Sequence, residues 1–176
     1  MLDADPAVCR LFSRLGQVVA YGRLLHGALH DGCTALFVDQ GFEPAFAHSM
    51  MEEQDTAVLC KTWSGLVKDA LEQGPDQAAL LPLLARLTQR LQGAIAARAE
   101  LLDMAWITDA PAAAPCYEAL AEPALAGGGL PLDRLVLDQA NLAAALRHLA
   151  AGWAERGPAL FHQAWALVTP PAPAAG

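Results

Sequence analysis

Residues 76–107 read DQAALLPLLARLTQRLQGAIAARAELLDMAWI, and this stretch decides the fold class. Leucine and alanine dominate it, and both residues favour helix over strand. Its large apolar side chains recur every three to four residues, which is the spacing of one helix face. The residues on this face are Leu80, Leu84, Leu91, Ile95, Leu102 and Trp106. One charged residue, Arg98, falls on the same face. The pattern predicts a helix over 76–107.

The rest of the chain divides into similar segments at glycine and proline positions. Gly32 is expected to interrupt the first helix, and Pro44 suits the first turn of the second. The predicted helices lie near 6–31, 45–73, 76–107, 112–125, 131–156 and 158–168. We therefore predict an all-α fold, a single-domain and mostly antiparallel bundle of five to six helices over residues 1–168. A disordered tail rich in proline and alanine is expected over 169–176.

The negative charge of the chain is concentrated in two runs. The formal net charge is −8 over 176 residues. Between Arg23 and Lys61 there is no lysine or arginine, and the acids there are Asp31, Asp39, Glu43, Glu52, Glu53 and Asp55. A second run over 108–130 contains Asp109, Glu118 and Glu122, again without a base. Local charge indicates a surface or a site, and acidity of this kind argues against nucleic acid as a partner.

The termini and cysteines favour a cytoplasmic protein without membrane segments. Met1 is followed by Asp3 and Asp5, so a positively charged secretory leader is not expected. No apolar run approaches the ~18–20 residues that a spanning helix needs. The cysteines are widely spaced, as is typical of reduced thiols, and they are Cys9, Cys33, Cys60 and Cys116.

Several potential metal ligands fall on the inward faces of the first two predicted helices. His26, His30 and Cys33 continue the apolar stripe of the first helix, and His48 and Glu52 lie on the backward extension of the second. If these helices are antiparallel neighbours, the five side chains meet at one end of the bundle. Mixed His, Cys and carboxylate ligands suit a transition metal such as zinc. The spacing therefore predicts a metal or small-ligand site with these five residues.

The same residues also fit a purely structural role. Helix ends extend beyond the core, so His26 and His30 fit as flanking residues and Cys33 as a small buried hydrophobe. Glu52 could form an ion pair with Arg98 that specifies packing without any function. The sequence alone leaves both interpretations open.

Catalytic motifs are not found in the sequence, and no catalytic residue is predicted. The chain contains no Gly-x-Ser-x-Gly, no Walker motif and no Gly-x-Gly-x-x-Gly. The function that we expect first is a non-catalytic interaction protein: an adaptor, an assembly chaperone or a subunit of a complex. Its acidic face would bind a protein partner, or a second copy in a homodimer, through Glu52, Glu53 and Asp55. The alternative is a metal- or ligand-binding bundle, enzymatic or not, at the junction of the first two helices.

One segment resembles a known family. His148-Leu-Ala-Ala-Gly-Trp153, followed by Phe161, is similar to the last helices of the NarJ/TorD-like redox-enzyme assembly chaperones. The resemblance covers residues 148–161. It implies a helical protein that binds another protein during assembly.

Overall fold

The computed structural model describes residues 6–74, 76–102, 131–153 and 158–169. Within these ranges the chain forms six helices, and the predicted all-α fold is confirmed. They are α1 (Pro6–Asp39), α2 (Pro44–Met51), α3 (Thr56–Glu72), α4 (Gln77–Leu102), α5 (Pro131–Ala151) and α6 (Pro158–Val168). The helix predicted over 112–125, the second acidic run and residues 170–176 of the predicted tail lie outside the described residues.

The first helix continues through Gly32, so the predicted interruption at this residue is wrong. Gly32 is buried, and a Cβ atom there would lie 3.0 Å from Cδ1 and Nε1 of the Trp63 indole. The glycine therefore allows α3 to approach α1 closely. A glycine in a helix interior destabilises it by only ~1 kcal/mol relative to alanine, which tertiary packing can outweigh.

Helix α1 ends instead at a turn around Gly41, nine residues later. Gly41 has a φ of +95°, a conformation that favours glycine. The amide of Phe42 donates to the carbonyl of Phe37 (3.1 Å), and the amide of Gly41 donates to that of Val38 (3.0 Å). These bonds form a Schellman motif, whose usual apolar contact is supplied by the rings of Phe37 and Phe42. The motif turns the chain back along α1.

The helix predicted over 45–73 is two helices, because the chain breaks between Met51 and Thr56. Asp55 caps α3 by accepting a hydrogen bond from the amide of Val58 at 2.8 Å. A carboxylate in this position satisfies an amide that has no partner within the helix. The sequence placed Asp55 inside a helix, whereas its side chain begins one.

This break reverses the direction of the chain. Helix α2 runs back along α1, since Phe42 contacts Phe37 at one end and His48 contacts His30 further along. Helix α3 then runs parallel to α1, with Thr56 beside His26 and Leu59 beside Cys33. The sequence predicts that the segment 45–73 runs antiparallel to the first helix. This is correct for α2, but α3 runs parallel to α1. The first three helices therefore alternate in direction.

The buried stripe of α1 is rotated relative to the predicted one. Val18 and Leu25 are essentially fully buried, whereas Val19, which lies seven residues before His26 on the predicted stripe, is 39% exposed. His26 and His30 consequently lie at the border of the buried face. Cys33 lies within it, at 0% exposure.

Helices α4, α5 and α6 close the bundle around this stripe. Leucines from α3, α4 and α5 share one large core with α1, and α6 adds Leu160 and Phe161 to it. Arg90 of α4 forms an ion pair with Asp138 of α5 at 2.6 Å and donates to the carbonyl of Val168 at the end of α6. None of the described helices is both long and apolar enough to cross a membrane.

Candidate functional site

The region that holds the predicted site residues is the corner where α1, α2 and the start of α3 meet. The chain reaches it three times, through the second half of α1, the returning α2 and the first turn of α3. All five predicted ligands and all three predicted partner-binding acids lie on these elements or between them. Their surroundings differ, and these differences decide what each residue can do.

His26 links α1 to α3. Its Nδ1 lies 3.1 Å from Oγ1 of Thr56, the first residue of α3, in a partly buried position. A hydrogen bond across the two helices satisfies a polar group at the border of the core. This geometry gives His26 a structural role in aligning the two helices.

His30 and His48 are the two predicted ligands that the structure brings together. Their ring centroids are 4.6 Å apart and the rings are nearly perpendicular, at 78°. The side chain of His30 is 12% exposed, and its Nδ1 lies 3.4 Å from a carboxylate oxygen of the exposed Asp31. The contact joins the middle of α2 to the last third of α1.

Cys33 is held in the core as a thiol. Its Sγ donates to the carbonyl of Leu59 at 3.5 Å, and no part of the residue is exposed. Burial raises the pKa of Cys33 from 9.0 to about 12, and the neighbouring Cys60 adds to the rise. Burial likewise raises the pKa of Cys60 to about 11. Nucleophiles and metal ligands require the thiolate, which these surroundings disfavour.

Glu52, the fifth predicted ligand, is exposed just after the last residue of α2. The stripe that would have turned it inward is interrupted by the break before α3. No ion pair joins it to Arg98 in the part of the chain described here; Arg98 lies over Gly22 instead, with its Nε buried. Within the described ranges, no three His, Cys, Asp or Glu side chains are placed to share a metal ion. The zinc site stays a prediction.

The three predicted partner-binding acids are all exposed, but they are not equivalent. Asp55 caps α3, so its carboxylate is already used in folding. Glu52 and Glu53 lie in the turn before it, and both are exposed to solvent. Glu52 and Glu53 are therefore the acids whose charge is available to a partner.

An exposed apolar row at this corner was not predicted from the sequence. We call it the α2 surface, and it consists of Phe42, Phe46 and Met50. These side chains are 39%, 52% and 36% exposed. The rings of Phe42 and Phe46 stack with centroids 6.2 Å apart and an interplanar angle of 11°. The opposite side of α2 is anchored in the protein by Ala47 and Met51, which are buried.

A signal for the α2 surface was present in the sequence. Positions 42, 46 and 50 are four residues apart, as are 47 and 51, so 44–51 carries apolar residues on two separate faces. The two faces lie about 100° apart around the helix axis, and in α2 the one with Ala47 and Met51 is buried while the other is exposed. The surrounding acids, from Asp31 to Asp55, are all exposed, and no lysine or arginine lies between Arg23 and Lys61.

An open groove of about 580 Å³ lies elsewhere, between α3 and α4. Small and apolar residues such as Gly65, Leu81 and Ala85 line it, with Lys68 at its side. None of the predicted site residues borders this groove.

Comparison with known proteins gave no relative: no protein-family model, curated protein or solved structure matches the chain.

Proposed function

We propose that this chain is a non-catalytic, cytoplasmic protein-interaction protein: an adaptor, an assembly chaperone or a complex subunit. Its partner binds at the corner formed by α1, α2 and α3. The observation that carries the proposal is the α2 surface, in which two stacked phenylalanines and a methionine face solvent beside a stretch without positive charge. Aromatic residues and methionine are enriched in protein interfaces.

The acidic residues contribute to the same surface. Glu43 is the N-cap residue of α2 and Glu52 its C-cap residue, so exposed carboxylates lie at both ends of the helix. Charged residues at the rim of an apolar patch mainly increase the association rate and select the partner. The apolar row would supply affinity, and Glu52 and Glu53 would supply selectivity.

Site-specific photo-crosslinking in cells tests this placement of the interface. A benzophenone amino acid at position 46 should yield a discrete adduct with another protein. The same group at position 137 should not, although Leu137 of α5 is 59% exposed. Adducts of equal yield at both positions, or none at 46, would contradict the proposed interface.

Charge-reversal variants test the role of the acidic residues in the same cross-linking experiment. Glu52→Lys with Glu53→Lys should reduce the adduct at position 46 several-fold, because the rim charges face the partner. The matched control is Asp69→Lys with Glu100→Lys, which changes two exposed acids by the same total charge on α3 and α4. Asp55 is left intact because reversing it would also remove the cap of α3.

A metal-binding function is the second candidate, and the ring contact of His30 with His48 favours it. Elemental analysis of protein purified without an affinity tag tests it. Near-stoichiometric zinc that disappears in both His30→Ala and His48→Ala would establish a site built on this pair. Equal trace metal in all three proteins would leave the pair as a packing contact.

A further inference from the structure

We propose that the α2 surface docks a basic amphipathic helix of a partner protein. This proposal rests on the proposed function and specifies the chemistry of the partner. The ring centroids of Phe42 and Phe46 are 6.2 Å apart, and Met50 follows Phe46 by one turn of α2, about 6 Å along its axis, so the exposed row is about 12 Å long. That length matches two turns of a partner helix, whose apolar anchors recur every three to four residues.

The surface is built to receive a helix while remaining in place itself. Ala47 and Met51 hold the underside of α2 in the protein, and the ring of His48 packs against that of His30. The Phe37–Phe42 contact fixes the preceding turn. The exposed row is therefore pre-arranged, which lowers the entropic cost of binding. Met50 also adds adaptability, because the flexible methionine side chain fits different apolar partners across an interface.

The negative charge around the α2 surface indicates which kind of partner binds there. The exposed acids between Arg23 and Lys61 contribute −6 with no lysine or arginine among them. A second copy docked on the same surface would bring two such stretches together, and like charges would oppose the contact. An anionic membrane surface would be repelled for the same reason. A helix with apolar residues on one face and lysine or arginine on the other complements both the row and its rim.

Binding of model peptides tests the proposal on the full chain. The probe is a fluorescein-labelled peptide of leucine and lysine, with leucine placed at helical i, i+3, i+4, i+7 spacing. One control peptide has the same composition in scrambled order, and another has glutamate in place of every lysine. Fluorescence anisotropy should show binding of the first peptide, at least about tenfold weaker binding of the scrambled one, and none of the acidic one.

Variants of the α2 surface separate apolar docking from nonspecific attraction to charge. Phe46→Ala with Met50→Ala should weaken binding of the leucine–lysine peptide at least about tenfold, as expected for central interface residues. Leu137→Ala, at an exposed leucine of α5, should leave it unchanged. All of these side chains are exposed, and circular dichroism verifies that each variant folds. Unchanged binding in the double variant would overturn the proposal, because the peptide would then be held by charge alone.

Three further outcomes would contradict the docking of a basic helix. They also show whether the proposed interaction function is wrong as well. If position 46 cross-links to a protein partner while the leucine–lysine peptide does not bind, the interface stands and the partner chemistry is wrong. If sedimentation equilibrium shows a dimer that Phe46→Ala dissociates, the occupant is a second copy. Equal affinity for the basic and acidic peptides would remove the charge argument.

Discussion

The α1–α3 interface and the α2 surface are built from similar residues and yet have opposite relations to solvent. The α1–α3 interface (Gly32, Cys33, Leu59, Cys60 and Trp63) is buried throughout. The α2 surface (Phe42, Phe46 and Met50) is exposed, although it directly follows α1 in the chain. Both groups are rich in large apolar residues, so residue type does not explain why one is buried and the other exposed. The path of the chain explains it.

Two turns of the chain produce this difference. The Schellman motif at Gly41 sends α2 back along α1, and the cap at Asp55 then starts α3 beside His26. Trp63 thereby reaches Gly32, whereas α2 is left at the outside with one face unused. An aromatic residue in the interface stabilises the fold, and one on the α2 surface remains available for binding.

The largest expected effect tests this contrast directly. Trp63→Ala should lower the free energy of unfolding by about 3–5 kcal/mol, because it empties a buried aromatic site. Phe46→Ala should change it by less than about 0.5 kcal/mol, because half of that side chain already faces solvent. Urea denaturation followed by circular dichroism measures both.

If Trp63→Ala does not fold, Trp63→Phe replaces it. This variant should still lower the free energy of unfolding by more than Phe46→Ala does. Comparable losses at positions 46 and 63 would mean that Phe46 is buried in solution. The α2 surface would then not be an exposed interface.

A second prediction uses the buried thiols. Their pKa values are raised in the folded state, from 9.0 to about 12 for Cys33 and about 11 for Cys60. Above pH 9 the unfolded chain therefore releases protons that the folded chain retains, and stability falls as the pH rises toward these values. At pH 10 the loss should be about 1.4 kcal/mol for each thiol. Well below pH 9, where the thiols are protonated in both states, they should contribute no pH dependence.

The double variant Cys33→Ala with Cys60→Ala is the control for this prediction. It should be less stable than the parent near neutral pH because it leaves small cavities. Its stability should nevertheless fall less steeply between about pH 9 and about pH 11, since the other titrating groups remain the same. Parallel pH profiles for the two proteins would show that these thiols ionise as readily in the fold as in the unfolded chain.

How far the sequence predicts this structure depends on whether an element is defined by periodicity or by a turn. The stripe through Leu80, Leu84 and Leu91 predicts α4 well, because many residues on one face contribute to the same signal. At the break before α3, the capping side chain of Asp55 is a local feature that contributes nothing to a periodic pattern. Periodicity extended across it placed Glu52 inward, where the structure leaves it exposed.

The positions of the three histidines were predictable from the sequence, but their contacts were not. The sequence placed His26, His30 and His48 at one corner, and the structure does so too. It could not assign their partners, because a rotation of α1 by about one residue exchanges border and core positions. Cys33 is buried, as the stripe placed it, whereas the two histidines of α1 lie at the edge of the core.

The smallest expected effect on stability distinguishes the acids at the corner from one another. Asp55→Ala should lower the free energy of unfolding by about 1 kcal/mol, because the amide of Val58 loses its partner at the start of α3. Glu52→Gln with Glu53→Gln should change it by less than about 0.5 kcal/mol, since both side chains are exposed and neither caps α3. Cross-linking at position 46 should show the reverse order. Asp55→Asn retains a capping oxygen and should preserve most of the adduct. Glu52→Gln with Glu53→Gln should reduce the adduct. If Asp55→Asn reduces the adduct as strongly, while the free energy of unfolding is maintained, Asp55 serves both the cap and the partner. The division between folding and binding within this corner would then fail at the residue where α3 begins.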